Sequence, residues 1–185
     1  MTRPKPPRIS VVGLSGSGKS SVARRAADLL DVAYVELDAL HWVLPDWQMP
    51  PLDEFHARVD AATRRGGWVV DGNYRKVRDI VWTRADTVVW LDLPLPTTIW
   101  RLVVRTIRRV RRHEMLWGGN RERLSSALFG RDSLWLYNIR TFRRRQRTNS
   151  KVTDRTEFGA TRLVRLRNQR EIEDWLAGLK AESQQ

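Results

Sequence analysis

Eight consecutive residues, Gly13-Leu14-Ser15-Gly16-Ser17-Gly18-Lys19-Ser20, follow the spacing G-x-x-x-x-G-K-S. Glycines at these positions let backbone N–H groups converge on an anion, the lysine ammonium adds a point charge, and the serine hydroxyl offers oxygen to a hard cation. That is chemistry for ATP with Mg2+. Lys19 would reach the β and γ phosphates, Ser20 would ligate the ion, and the start of a helix behind them would add a favourable dipole. The expected phosphate cradle is Gly13, Ser15, Gly16, Ser17, Gly18, Lys19, Ser20 and Ser21.

Two aspartates end apolar runs. Asp71 closes Trp68-Val69-Val70 and is followed by Gly72, a position from which a carboxylate can reach the magnesium shell. Asp38 follows the run 32–37 and is placed for an acceptor molecule at the carboxyl edge of a parallel sheet. Simpler readings stand beside these, because Asp-Gly is a common turn pair and aspartate is a common helix N-cap.

The elements that must position these groups alternate. Strands are expected at 9–13, 32–37, 68–70, 87–93 and 161–166. Helical periodicity falls at 19–30, 52–64, 74–82, 97–112, 134–147 and 169–180. Strands separated by helices imply right-handed crossovers, hence an α/β three-layer sandwich with a five-stranded parallel sheet. With 185 residues, one domain spanning 1–185 is the expectation, including an acceptor-binding insertion at 38–65 and a lid region at about 113–133. No cysteine is present, which excludes disulfides, thiolate zinc sites and cysteine nucleophiles. The short apolar run 9–13 is neither a signal peptide nor a membrane span, so a cytoplasmic location without membrane partners is expected.

Charge is unevenly placed. The formal net charge is +13, and residues 101–147 contribute +11 of it through 14 arginines. Arginine confined to one stretch suggests local phosphate binding. Arg101, Arg105, Arg108 and Arg112 align on one face of the 97–112 helix, with Ile99, Val103, Ile107 and Val110 on another. Arg140, Arg143, Arg144 and Arg147 repeat the plan, and Trp117-Gly118-Gly119-Asn120 between them offers a hinge for a short arginine-rich lid. Nucleic acid is the alternative partner for such stripes, but no base-reading motif accompanies them. Trp68, Trp90 and Trp100 lie in apolar periodic segments and read as core. Trp42 and Trp47 lie beside prolines in a loop, where a substrate ring could stack, and His41 alone among the histidines is placed to act as a base.

These pieces resemble the adenylate-kinase-like branch of P-loop kinases over nearly the whole chain. Asp71-Gly72-Asn73-Tyr74-Arg75 is similar to that family's D-G-F-P-R, which implies an aspartate near the metal and a phosphate-gripping Arg75. Arg101 and Arg105 resemble the R-x-x-x-R that opens its lid, which implies roles over adenine and at the ATP phosphates. Closer still, LDALHW (37–42), Trp47, WVVDGNY (68–74), ADTVVWLDLP (85–94) and FGATRLVRLR (158–167) resemble the small bacterial topology modulation (FlaR-related) proteins. The family proline is replaced by Tyr74, and no arginine follows the second strand where adenylate kinases hold the acceptor nucleotide. Asp38 instead resembles the substrate aspartate of shikimate and gluconate kinases. The resemblance implies an ATP-binding phosphotransferase with a small-molecule acceptor. Its catalytic set is Lys19, Asp38, Arg101 and Arg105, its substrate set Asp38, His41, Trp42, Asp71, Gly72 and Arg75, and its metal set Ser20 and Asp71. An ATP-dependent regulatory or nucleic-acid-binding protein is the alternative.

Overall fold

The computed structural model describes residues 5–121 and 162–183. Five strands, β1 (Arg8–Gly13), β2 (Ala33–Glu36), β3 (Trp68–Asp71), β4 (Thr87–Leu91) and β5 (Arg162–Leu166), form one sheet in the order β2-β3-β1-β4-β5. All four pairings are parallel. The helices are α1 (Lys19–Leu30), α2 (Leu37–His41), α3 (Leu52–Thr63), α4 (Arg78–Trp82), α5 (Leu95–Arg111) and α6 (Gln169–Ser183).

Strand alternation divides the core into two layers. Ile9, Val11, Val69, Val89 and Leu91 face Val22, Ala23 and Ala26 of α1 and Ile172 and Leu176 of α6. Val12, Val70, Val88, Trp68 and Trp90 face Phe55 and Val59 of α3 and Val81 and Trp82 of α4. A period of two along each strand thus sends consecutive residues into opposite layers, and both faces of the sheet are covered. The expected α/β sandwich with five parallel strands is present.

Differences from the sequence reading have physical reasons. β2 stops at Glu36 because its one neighbour ends at Asp71, the partner of Glu36. Leu37 and Asp38, with no ladder left to join, start the short helix α2, so Asp38 sits in a helical first turn and not on the strand. Likewise β4 stops at Leu91, where its partners Gly13 and Leu166 both end. The 74–82 helix divides into a 3-10 turn, Arg75–Val77, and α4.

The 97–112 helix is present, but it buries a narrower stripe, Thr98, Leu102 and Thr106. Ile107 is exposed, and Trp100, read as core, is 69% exposed. An i, i+4 stripe seated on the phosphate loop leaves the flank carrying Trp100 outside. The helix expected at 134–147, and the part of the lid region beyond Arg121, lie outside the described residues.

Candidate active site

β1 delivers the chain into the loop 14–18, which turns into α1 at Lys19. Gly16 has φ +84, and a Cβ there would collide with the Thr98 carbonyl and lie 3.1 Å from the Leu102 backbone nitrogen. Only glycine lets the loop sit this closely on α5. Ser17 closes the turn through its N–H to the Leu14 carbonyl at 3.1 Å, and the Lys19 ammonium donates to the same oxygen at 3.0 Å. Ser17 Oγ is buried with no hydrogen-bond partner among the described residues. Ser15 is half-buried, while Ser20 and Ser21 are exposed on the first turn of α1.

Asp71 ends β3 and is 3% exposed. Its Oδ2 accepts a hydrogen bond of 3.3 Å from the Tyr34 hydroxyl, and its Oδ1 has no partner among the described residues. Burial pushes the Asp71 carboxyl above the ordinary aspartate range; Lys19 and the Ser20 hydroxyl draw it back, and Asp38 adds to the rise. Lys19, Ser20 and Asp38 therefore each act on the Asp71 carboxyl. Glu36, the register partner of Asp71, is also raised by burial and opposed by a hydrogen bond from Trp117. Neither Tyr34 nor Glu36 was singled out from sequence. Their register with the strand carrying Asp71 was the available signal.

The surroundings of Asp38 are aromatic. Tyr74 donates to Asp38 Oδ1 at 2.6 Å. The His41 ring lies 4.5 Å from Tyr74, 4.7 Å from Phe55 and 4.7 Å from Trp42, centroid to centroid. His41 is 7% exposed, its Nδ1 has no partner among the described residues, and burial lowers its pKa. A histidine so enclosed is a neutral wall residue beside Asp38. Gly72 lets the chain pass Leu37, whose Cβ would be 2.8 Å from a Cβ at 72. Arg75 is exposed and forms no hydrogen bond or ion pair among the described residues.

Arg101 is already at the phosphate loop. Its guanidinium reaches 3.8 Å from where a Cβ of Gly18 would stand, and it donates to Gln169 Oε1 of α6 at 3.2 Å. Arg105, one turn further along α5, is half-buried with its Nε out of solvent. Gln169 was not foreseen, since an exposed glutamine opening a helix carries no sequence signature.

No protein-family model matches the chain, and no curated protein matches it. Among solved structures, a gluconokinase from Sinorhizobium meliloti 1021 superimposes with a TM-score of 0.53 at 22% identity, covering 98% of this chain and 96% of that one. Shikimate kinase from Acinetobacter baumannii in complex with shikimate gives 0.56 at 16% identity, covering 94% and 90%. Shikimate kinase from Bacteroides thetaiotaomicron gives 0.57 at 11% identity, covering 97% and 99%. The chain has the P-loop kinase fold. Within that fold, residues 13–21, Asp71 and Arg101 occupy one carboxyl edge of the sheet, and Asp38 with its aromatic neighbours adjoins them at the β2–β3 end.

Proposed function

We propose that the protein transfers the γ-phosphoryl group of ATP to a hydroxyl of a small molecule. The observation that carries this is the pairing of a buried Asp71, with one oxygen unpartnered beside Lys19 and Ser20, and a neighbouring Asp38 whose Oδ1 is held by Tyr74. Solved proteins of this fold named gluconokinase and shikimate kinase support a small-molecule acceptor over a mechanical role.

The residues present fit Mg2+ and a nucleotide phosphate. The glycine cradle admits an anion, Ser17 Oγ and Asp71 Oδ1 have no hydrogen-bond partner among the described residues, and hydroxyl plus carboxylate oxygen is a hard donor set. Magnesium, when bound by Ser20 and Asp71, supplies charge neutralisation at the transferring group. Lys19 and the loop amides hold the phosphate oxygens, and Arg101 and Arg105 add positive charge from α5. Asp38 Oδ2, free of Tyr74, accepts the proton of the acceptor hydroxyl. The acceptor's hydroxyl oxygen forms the bond to the γ phosphorus as the bond from phosphorus to the ADP oxygen breaks. His41 and Trp42 wall the acceptor, and Arg75, exposed at the rim, is placed for an anionic group on it.

ADP release measured over a panel of small polyols, hydroxy acids, nucleosides and nucleoside monophosphates tests the proposal. A hydroxyl compound turned over above the buffer rate is expected. Turnover of nucleoside monophosphates alone would overturn the acceptor assignment, and hydrolysis at the buffer rate with every compound would overturn transfer itself.

A second reading has one observation behind it. Arg108, Arg111 and Arg112 are exposed near the end of α5, where they could meet the phosphates of a nucleic acid.

A further inference from the structure

The loop 42–47 contains two consecutive non-glycine residues in the left-handed region, Asp46 at φ 54 and Trp47 at φ 56. This conformation is strongly disfavoured for a bulky side chain, so something must hold it. Asn120 does. It is 4% exposed, its Oδ1 accepts the Trp47 N–H at 2.8 Å, and its Nδ2 donates to the Leu44 carbonyl at 2.9 Å and the Trp117 carbonyl at 2.7 Å. Gly118 closes the joint from the same side, since a Cβ there would stand 2.6 Å from the Leu44 oxygen and 2.8 Å from the Trp42 oxygen. Trp117 in turn opposes the effect of burial on Glu36, the register partner of Asp71.

The held residue faces the acceptor end. Trp47 meets Trp42 edge to face at 5.5 Å and 83°, and Trp42 meets His41, which packs on Tyr74 and so stands beside Asp38. Trp47 remains 37% exposed. A tryptophan forced into an unfavourable backbone by a fully bonded buried amide, yet left open to solvent, packs no core.

We propose that Asn120 is a positioning residue for acceptor recognition. It fixes Trp47 in this conformation, so that Trp47 and Trp42 form an aromatic wall selecting a ring-bearing hydroxyl compound. This rests on the phosphotransfer reading above, and it adds the ring as the recognised feature.

The test uses the full chain labelled with 5-fluorotryptophan, with Trp42 and Trp47 assigned by W42F and W47G, and the same compound panel titrated in the presence of Mg-ADP. Ring-bearing compounds are expected to move the Trp42 and Trp47 resonances and leave Trp68 and Trp90 in place. N120A should displace or broaden the Trp47 resonance in the free protein. It should also raise the acceptor KM by about tenfold or more while kcat and the Mg-ATP KM stay within about twofold, the signature of lost binding without lost chemistry.

Trp47→Gly removes the ring while glycine accepts the backbone, which keeps the test intact should N120A fold poorly. W47G should reproduce the KM effect, and the double variant N120A/W47G should be no weaker than W47G alone. An unmoved Trp47 resonance in N120A, or effects of the two substitutions that multiply, would overturn the positioning role. Panel compounds that shift neither tryptophan would overturn the recognition role. Absence of turnover with shifts still present would count against phosphotransfer and leave the wall supported.

Discussion

The Tyr74 hydroxyl bonds Asp38 Oδ1 at 2.6 Å, joining the turn after β3 to the first turn of α2. The carboxylate is thereby fixed in rotation through one of its two oxygens. Tyr74→Phe removes only that hydroxyl. Because hydrogen bonds to charged groups contribute about 1.5–3 kcal/mol, kcat/KM for the acceptor should fall roughly 10- to 150-fold. Asp38→Asn should fall further, by about 10²–10⁴ in kcat, if it takes the proton. Steady-state kinetics on a responsive panel compound check both, and a Phe variant with unchanged kinetics would remove Tyr74 from the site.

Lys19→Ala should weaken Mg-ATP binding by roughly 10- to 150-fold, the loss of a charge-assisted contact to phosphate. In the free protein the ammonium donates to the Leu14 carbonyl and opposes the effect of burial on the Asp71 carboxyl, so its loss should also lower Tm. Calorimetric titration and thermal unfolding separate the two effects. Equal affinity in both proteins would contradict the cradle.

His41 makes stability depend on pH. Burial lowers its pKa below the ordinary value of 6.5; Asp38 opposes the shift and Lys76 adds to it, while Trp42, Phe55 and Tyr74 enclose the ring. The unfolded chain therefore takes up a proton that the folded chain refuses. The contribution of His41 is complete above pH 6.5 and is lost as pH falls below it. Between pH 8 and pH 5, the Tm of His41→Leu should fall less steeply than that of wild type, whatever its absolute Tm. A parallel pair of curves would show that the imidazole binds its proton equally well in the folded and unfolded chains.

Arg105→Ala discriminates the two uses of the arginines. If α5 serves phosphoryl transfer, turnover should drop roughly 10- to 1000-fold, as for other charge-stabilising side chains. If it serves duplex DNA, log affinity should fall with log salt by about 0.9 per phosphate neutralised, with no need for ATP. Tight duplex binding near physiological salt with a slope of several units would reverse the ranking.

Sheet and cradle were legible because each depends on local rules. The run 9–13 into the glycine spacing fixes β1, the turn and α1, and the observed α1 has the expected bounds. What escaped depends on pairs far apart in sequence. Tyr34 reaching Asp71, Trp117 reaching Glu36 and Asn120 reaching Trp47 each need strand register or a folded loop before the partners meet. Tyr74 stood out only as a departure from a proline pattern, and its meaning came from the position of Asp38. Trp100 misled because apolar periodicity reports which residues share a face and not which face is covered.

β5 pairs with β4 across the sheet edge, yet the chain runs through α5 and on to Arg162 before returning, and Arg101 finds Gln169 only after that return. During synthesis the glycine loop, Asp71 and Asp38 therefore leave the ribosome long before the strand that completes the sheet. A nascent chain has its glycine loop before the contact that Arg101 makes with Gln169, and the edge of β4 stays open to mispairing until β5 emerges. Truncation before Arg162 should consequently leave an aggregation-prone edge, where loss of the residues beyond Gln169 would chiefly uncover the apolar face of α1.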